Sequence, residues 1–324
     1  MSITLPDRVR PRTRSTHLER QERRARAVHL ADQYGGVLSR RQLQTLGYSD
    51  ERVRAELRAE RWRSHGRQTI AVRTGELSDE ARRWRAIWEV GPRIAVLDGL
   101  SALQLFGVQG LSDRDVHVSV PHTCAVAPVA GVVIHKVRRR HPADLISVGM
   151  PRSWPAAAAI RAAHWAVSDR QAALMLVLPV QQRLITGRQL VEATARVRGR
   201  TRRRLIALLA RDIADGAQSL GELDMAALCR AYGLPAPSRQ SVRRLRDGTA
   251  YLDVAWDEHR LVLEIDGAGH ARGLAYGNDS LRQNELTLGS ERVLRIDLIG
   301  LRLHERELMS QLARGLGVPG RAGE

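Results

Sequence analysis

YLDVAWDEHRLVLEID, residues 251–266, holds two apolar runs rich in β-branched and aromatic side chains on either side of the polar turn 257–260. Runs of this composition, separated by a short polar turn, are typical of the two strands of a hairpin. A four-residue turn pairs Trp256 with Leu261, and this pairing fixes the register further along both strands. The stretch therefore predicts an antiparallel hairpin within the C-terminal part of the chain.

This register sets the carboxyl groups of Asp253 and Glu264 opposite each other on one face of the hairpin. Their Cβ atoms would lie about 4.5–5.5 Å apart, and Asp266 shares the face because strands have a period of two residues. Opposed acids on apolar strands repel each other and are costly to desolvate. A divalent cation would compensate, since Mg²⁺ prefers carboxylate oxygens; Mn²⁺ is the alternative ion. We interpret the acids as a candidate metal site, the alternative being an acidic rim paired to arginines.

The residues around the hairpin extend this pattern. Residues 216–318 predict helix, hairpin, loop, helix, strand and helix, and we expect an α/β domain with the core order αβββαβ. The chemistry-bearing residues follow in the order Asp253, Glu264-Ile265-Asp266-Gly267 with His270, Asp279 with Arg282 and Asn284-Glu285, and Arg292-Val293-Leu294-Arg295. This order resembles the Vsr-like (very short patch repair) branch of the restriction-endonuclease-like superfamily. The resemblance implies a metal-dependent DNA endonuclease.

The resemblance also implies roles for individual residues. Asp253 and Glu264 would be the first metal ligands, and Asp266 would support the metal or the attacking water. The superfamily commonly has a lysine where this chain has Asp266, so a lysine-dependent mechanism is in doubt. His270 would then transfer the proton, because an unperturbed pKa near 6.5 suits that role at neutral pH. Arg282 would stabilise the negative charge that develops on the phosphate.

Glu222 has two interpretations. In the superfamily, an acidic residue on the first helix often joins the metal site, and Glu222 is placed for this. In the segment Ser219-Leu220-Gly221-Glu222, however, the same side chain can complete a capping box by bonding back to the N–H of Ser219. The sequence leaves both interpretations open.

The N-terminal part predicts a separate domain over residues 23–75, after a basic arm at 1–22. A helix from about residue 23 to 34 ends at two glycines, Ser39 caps a short helix, and Ser49 caps a third helix over 50–60. Two short extended segments follow. Three helices and a hairpin make a winged helix, whose third helix enters the major groove of DNA.

Residues 35–72, GGVLSRRQLQTLGYSDERVRAELRAERWRSHGRQTIAV, resemble the winged-helix domain of AbiEi-type antitoxins, which are transcriptional autoregulators of abortive-infection systems. The resemblance implies contact with DNA phosphates or bases. The side chains that would make it are Arg52, Arg54, Arg58, Arg63 and Arg67. A solvated basic helix face is the alternative interpretation.

Residues 76–215 predict a mixed and then helical middle region. The segments AVLDGLSALQLFGV and DVHVSVP within it are similar to the middle part of AbiEi-like proteins. We expect helices near 78–90 and 99–106, strands near 115–120 and 132–137, and Ala- and Arg-rich helices across 155–212. Four histidines of this region lack a regular metal-ligand spacing and are expected to be scattered over the surface; they are His117, His122, His135 and His141.

The formal net charge of +17 favours a polyanionic partner, because basic side chains neutralise phosphates and release counterions. All basic residues but Lys136 are arginines, so biased codon usage is an alternative cause of part of the excess. No apolar run is long enough to span a bilayer, and Cys124 and Cys229 are too few for a disulfide framework or a zinc site. We expect a cytoplasmic protein.

Two functions follow from these patterns. The first is a multidomain α/β protein that binds DNA through a winged helix and hydrolyses phosphodiester bonds through a Vsr-like domain at 216–318, before a short tail at 319–324. The second is a non-catalytic, AbiEi-type antitoxin or regulator that keeps the nuclease fold as a binding platform and has a toxin partner. RNA as the substrate, the target site and the oligomeric state stay open.

Overall fold

The structure is a computed structural model of the chain and describes residues 17–215, 223–244, 250–267, 280, 284 and 293–319. Its contacts divide the chain into two compact units. The first unit runs to Ala95 and includes Val126–Ala130, and the second contains the other described residues. Both units combine helices with sheets, which confirms the α/β class.

The first unit begins with a helix and alternates short helices with short strands. Its elements are α1 (His17–Asp32), β1 (Val37–Ser39), α2 (Arg40–Thr45), α3 (Asp50–Arg58), β2 (Arg63–Ser64), β3 (Thr69–Ala71) and α4 (Asp79–Val90). The predicted caps are confirmed, because Ser39 and Gln42 form a capping box on α2, and the Ser49 side chain accepts from the N–H of Arg52 on α3. Two predicted bounds were wrong: α1 starts at residue 17 rather than 23, and α3 ends at 58 rather than 60.

The three strands form an antiparallel sheet in the order β1-β3-β2. Apolar side chains from α1, α2, α3 and the strands fill the space between helices and sheet, with Tyr48 and Trp62 in contact at a ring-centroid distance of 4.8 Å. Val53 is the buried residue of α3, Leu57 packs partly buried against the same core, and the three arginines of the helix are exposed. Exclusion of this apolar face from water is what holds α3 in place.

The helix α4 belongs to the first unit, although the sequence analysis placed it in the middle region that starts at residue 76. The carboxylate of Glu89 and the guanidinium of Arg85 form hydrogen bonds with the turn between β2 and β3. These bonds explain why the unit extends past residue 75 to Ala95.

The second unit contains two sheets. The first, in the order β6-β5-β4-β8-β7, is accompanied by five helices. These elements are β4 (Val96–Leu97), α5 (Gly99–Leu105), β5 (Val116–Pro121), β6 (Val132–Val137), β7 (Leu145–Ile146), β8 (Arg152–Ser153), α6 (Pro155–Trp165), α7 (Asp169–Gln181), α8 (Gly187–Arg196) and α9 (Arg203–Asp215). The predicted helices and the two long strands of this region are confirmed within two or three residues.

The second sheet of this unit has four strands in the order β12-β11-β10-β9. Its elements are α10 (Met225–Ala231), β9 (Arg239–Arg244), β10 (Ala250–Trp256), β11 (Leu261–Asp266), β12 (Val293–Asp297), α11 (Leu298–Leu303) and α12 (Glu305–Leu316). Strands β9, β10 and β11 are antiparallel, and β12 runs parallel to β11. The hairpin register is confirmed, because Trp256 pairs with Leu261. No helix among the described residues is long and apolar enough to cross a membrane.

The interior of the second unit contains ionised side chains. The guanidinium of Arg161 is bonded to the carboxylate of Asp98 at 3.1 Å and to the hydroxyl of Ser153 at 2.9 Å, and it lies 3.8 Å from Asp144. All four side chains are buried. Paired charges of this kind are tolerated in a protein interior because opposite charges and hydrogen bonds offset the cost of removing each group from water.

The prediction that the four histidines are scattered over the surface was wrong for two of them. A ring nitrogen of His117 lies 2.9 Å from one of His135, and the His135 ring stacks on Trp165 with 3.6 Å between centroids. Adjacent strands β5 and β6 bring the two imidazoles together. His122 and His141 are exposed, as expected.

Candidate nucleic-acid surface and carboxylate row

The five arginines predicted to contact DNA are all exposed on the first unit. Three of them, Arg52, Arg54 and Arg58, belong to α3, while Arg63 starts the hairpin and Arg67 lies in its turn. We call these five side chains the arginine surface. The three arginines of α3 are exposed because the helix turns Val53 toward the core.

Two arginines of this surface, Arg54 and Arg58, differ from the nearby Arg24 and Arg61 in that no acid pairs with them within the described residues. Arg24 and Arg61 both bond to the carboxylate of Glu56, at 3.0 Å and 2.6 Å. Burial raises the pKa of Glu56, but the two guanidinium groups outweigh it and hold that pKa below its usual value. Within the described part of the chain, Arg54 and Arg58 form no ion pair, so their positive charges are left uncompensated.

Arg52 has a local role as well. Its guanidinium donates to the carbonyl oxygen of Gly47 at 2.7 Å, which ties the start of α3 to the loop that precedes it. Gly47 has a positive φ of 80°, in the left-handed region that favours glycine. Arg52 therefore helps to fix the angle at which α3 leaves the loop.

The turn of the β2–β3 hairpin is held by a carboxylate that the sequence analysis missed. Glu89 of α4 accepts hydrogen bonds from the backbone N–H groups of Arg67, Gln68 and Thr69, each at 2.8 Å, and from the Thr69 hydroxyl at 2.7 Å. A side chain at Gly66 would collide with this carboxylate. Three consecutive N–H groups converging on one anion keep the turn in a single conformation.

The same hairpin is electrically positive. Burial lowers the pKa of His65, and the nearby guanidinium groups of Arg63 and Arg85 lower it further. His65 is therefore neutral at pH 7, and the positive charge of the hairpin comes from its arginines.

On the four-stranded sheet, the predicted pairing of acids is confirmed. Asp253 of β10 is the direct partner of Glu264 of β11. The row continues on both sides, because Ser241 of β9 pairs with Asp253, and Arg295 of β12 pairs with Glu264. We call these four residues the carboxylate row. Asp253 and Glu264 are half-buried, and the residues that flank each of them on its own strand are fully buried.

Arg295 compensates part of the negative charge in this row. Its Nε donates to Oε2 of Glu264 at 2.7 Å, with the side chains 58% and 33% exposed. The backbone of Arg295 is held independently, because its N–H donates to the buried amide of Asn284 at 2.8 Å, and that amide donates back to the Arg295 carbonyl at 3.0 Å. The acidic rim paired to arginine, proposed as the alternative to a metal site, is thus present for Glu264.

A fourth acid near the row has a structural function. Asp297 pairs in register with Asp266, and its side chain accepts from the N–H of Gly300 at 2.8 Å to cap α11. Burial raises the pKa of Asp297, the capping N–H groups oppose this, and the charge of Asp266 raises it further. Asp297 was missed by the sequence analysis, although an aspartate directly before a helix is an N-cap signal.

The carboxylate row offers a divalent cation two hard oxygen donors in register, Asp253 and Glu264. A carboxylate has two oxygens, so the bond from Arg295 to one oxygen of Glu264 does not by itself exclude a cation on the other. Within the described residues, no group of three or more histidine, cysteine or acidic side chains is close enough to hold a metal ion. The pair therefore fits part of a magnesium site, which commonly completes its shell with water and phosphate.

Three predicted site residues lie outside the described residues: Glu222, His270 and Arg282. Of the predicted catalytic set, the structure describes Asp253, Glu264 and Asp266. It brings the first two together as cross-strand partners, and Asp266 follows Glu264 by two residues on the same strand.

Comparison with known proteins adds little. No protein-family model matches the chain, and no curated protein matches it in sequence. Among solved structures, the crystal structure of the RV2827C protein from Mycobacterium tuberculosis is similar over 60% of this chain and 76% of that chain, with 19% sequence identity and a TM-score of 0.38. A likeness of this size carries no argument about function.

Proposed function

We propose that the protein binds double-stranded DNA through its first unit. The element order α1-β1-α2-α3-β2-β3, with the strand before α2 pairing to the last strand of the hairpin, supports a winged helix. In helix-turn-helix domains of this kind, the third helix enters the major groove, and flanking elements contact the backbone. The single observation that carries the proposal is the coincidence of this topology with the arginine surface on α3 and the hairpin.

The charges of the first unit support the same assignment. Phosphate contacts supply most of the affinity in non-specific DNA binding, and each neutralised phosphate contributes about 0.9 to the slope of log K against log salt. Arg54 and Arg58 are exposed and form no ion pair within the described residues, so no acid competes there with a phosphate. The hairpin turn that carries Arg67 is already ordered by Glu89, so binding need not order it.

The test is the salt dependence of DNA binding by the full chain. We expect Arg54→Ala/Arg58→Ala to weaken binding to a mixed-sequence duplex and to reduce the salt slope by about 1 for each residue. Fluorescence anisotropy at several salt concentrations measures both quantities.

The matched control is Arg26→Ala/Arg93→Ala, which removes two arginines of the same unit that are exposed, form no ion pair within the described residues and lie outside α3 and the hairpin. If both double variants lose the same affinity and slope, only net charge matters and the proposed surface is wrong. Preference for single-stranded RNA over the duplex would likewise contradict the proposal.

We propose metal-dependent phosphodiester hydrolysis as a second candidate function, located on the four-stranded sheet. The observation that favours it is the register of Asp253 with Glu264 on strands that are otherwise apolar. A bound divalent cation would supply an activated water and stabilise the charge on the phosphate. The chain's own contribution would be to hold that cation through Asp253 and Glu264, while Arg295 orients the Glu264 carboxylate.

Cleavage of duplex DNA with Mg²⁺ or Mn²⁺ tests this second candidate. Asp253→Asn and Glu264→Gln should abolish cleavage and leave DNA binding intact, whereas Glu258→Gln, in the exposed hairpin turn, should leave both cleavage and binding intact. Absence of cleavage by clean wild-type protein that still binds DNA would favour the non-catalytic regulator, with a toxin as its proposed partner.

A further inference from the structure

The second unit contains a cleft of about 500 Å³ that neither proposed activity uses. It lies between the start of α6, the helix α8 and the residues that follow α5 and α7. Small-molecule sites are commonly clefts of about 300–1,000 Å³ with an apolar lining and a few polar groups. A cleft of this volume can hold a ligand of about nucleotide size.

Two aromatic rings line the cleft. Trp154 is 50% exposed, and its ring lies nearly parallel to that of Phe106, with 15° between planes and 6.4 Å between centroids. The guanidinium of Arg152 lies 5.2 Å from the centroid of the Phe106 ring, so the exposed indole of Trp154 is the surface that favours another flat ring as a partner. Ile185 adds an aliphatic side chain to the same lining. The apolar part of the cleft therefore suits a planar ring.

The polar part of the cleft contains a guanidinium that is held in place. Nε of Arg196 donates to the buried carboxylate of Asp144 at 3.2 Å, and Arg161, which also pairs with Asp98, lies 3.8 Å from the same carboxylate. The terminal nitrogens of Arg196 make no hydrogen bond within the described residues. Glu192, which also lines the cleft, accepts a bond of 3.0 Å from Arg188. A guanidinium held by its Nε presents its remaining donors to an anion.

The first turn of α6 carries a partial charge of the same sign as this guanidinium. Ala156 and Ala157 line the cleft, and the capping residue Trp154 provides no side-chain hydrogen bond to this end of the helix. Helix N-termini carry a partial positive charge. The cleft, its rings and Arg196 carry the assignment, and the helix end adds to them.

We propose that this cleft binds a small planar aromatic ring that carries an anionic group, of the chemical class of a nucleoside monophosphate. The ring lies against Trp154 and Phe106, and the anion accepts hydrogen bonds from Arg196. This inference does not depend on the proposed DNA-binding or hydrolytic functions. The ring and phosphate could belong to a free nucleotide or to a base at the end of a nucleic-acid strand.

The test follows the indole N–H signals of the full-length protein labelled with ¹⁵N-tryptophan. The signal lost in Trp154→Phe identifies Trp154. Adenosine monophosphate should shift that signal saturably, and Arg196→Gln should weaken its binding about tenfold or more, while adenosine alone binds equally to both proteins. Ala156→Leu, which fills the cleft without removing a contact, should abolish both shifts. Arg170→Gln, an exposed arginine of α7 outside the cleft, is the control for charge.

A Trp154 signal that does not move, or a shift that is unchanged in Arg196→Gln and Ala156→Leu, would overturn the proposal. A third arm identifies the source of the ligand by comparing adenosine monophosphate with an adenine trinucleotide. Tighter binding of the trinucleotide, lost in the same two variants, assigns the site to a strand end, and tighter binding of the mononucleotide assigns it to a free nucleotide.

Discussion

In the first unit, Arg54 and Arg58 are exposed and form no ion pair within the described residues, whereas in the second unit Arg161 is 3% exposed and lies between the carboxylates of Asp98 and Asp144. The three side chains are chemically identical. Their difference comes from what the surrounding fold supplies: solvent around α3, and buried acids around Arg161. The number of arginines therefore overstates how many positive side chains can meet a polyanion, because some are committed to interior acids that the net charge of +17 already subtracts.

Removing the guanidinium of Arg161 tests this difference between interior and exposed arginines most directly. Arg161→Met leaves Asp98 and Asp144 buried without their shared partner, and breaking a buried ion pair on one side costs about 3–5 kcal/mol. We expect a loss of this size in the free energy of unfolding of the second unit, measured by urea denaturation. Arg54→Met, the same substitution at the surface of the first unit, should change stability by no more than about 0.5 kcal/mol.

Equal effects of these two substitutions would mean that the interior network contributes no more than a solvated side chain. Adding Asp98→Asn to Arg161→Met should recover part of the loss, because it removes the carboxylate that loses its ion-pair partner, whereas Asp144 still pairs with Arg196. Failure of this second change to recover stability would place the cost in lost packing rather than in charge.

A second prediction concerns His135, which is neutral in the folded protein, whereas the buried Arg161 is charged. Burial, and next the neighbouring His117, lower the pKa of His135 from 6.5 to about 3. As the pH falls below 6.5, the unfolded chain takes up a proton that the folded chain does not. Stability is therefore complete above pH 6.5 and declines as the pH falls toward 3, by about 1.4 kcal/mol per pH unit.

Between pH 6.5 and pH 5 the expected loss from His135 is about 2 kcal/mol. His135→Phe keeps a ring against Trp165 and cannot take up a proton, so it should flatten this part of the stability curve. His122→Phe, at an exposed position, should leave the curve unchanged. If His135→Phe shows the wild-type pH dependence, another group is responsible for it.

The difference between local and distant contacts explains what the sequence could predict. The register of Asp253 with Glu264 was predictable because a four-residue turn and a period of two residues fix every pair in a hairpin. The pairing of Glu264 with Arg295 was not, because β12 is parallel to β11 and no turn sets its register. Half of the carboxylate row thus follows from local sequence.

Distance along the chain also concealed the interior charges and the hairpin anchor. Asp98 and Arg161 are separated by 63 residues, and Glu89 lies about 20 residues from the turn that it holds. Neither pair shows a periodicity or motif, since its geometry depends on how whole elements pack. The caps Ser39 and Ser49 were predictable for the opposite reason, as each acts within three residues of itself.

A third prediction tests whether the arginine surface needs a preformed hairpin. Glu89→Gln replaces one acceptor oxygen by an amide, so at least one of the N–H groups of Arg67, Gln68 and Thr69 loses a charge-assisted bond. We expect a loss of about 1–2 kcal/mol in stability of the first unit, together with weaker DNA binding. Hydrogen exchange at residues 66–69 measures the turn directly.

The control for this change is Glu80→Gln, at an exposed position on the same helix. It should leave exchange at the turn and DNA binding unchanged. Faster exchange in Glu89→Gln with unaltered DNA binding would show that the hairpin is anchored for stability alone and does not contribute to the proposed interface.

The smallest expected effect on stability belongs to Arg295, which is intermediate between the exposed and the interior arginines. It bonds to Glu264, yet it is 58% exposed, and exposed ion pairs contribute about 0–1 kcal/mol. Arg295→Gln should therefore lower the free energy of unfolding by less than about 1 kcal/mol. Arg239→Gln, which breaks the exposed pair with Asp257 on the same sheet, is the matched control and should behave alike.

The informative quantity for Arg295 is cation affinity rather than stability. A guanidinium and a divalent cation both draw on the negative charge of Glu264, so removing Arg295 relieves the competition if Asp253 and Glu264 hold a metal. We expect Mn²⁺, followed by electron paramagnetic resonance, to bind more tightly to Arg295→Gln than to wild type or Arg239→Gln, and to lose this gain when Asp253→Asn is added. Equal and unsaturable Mn²⁺ binding by all these proteins would contradict a metal site at Asp253 and Glu264. The carboxylate row would then be an acidic rim compensated by arginine.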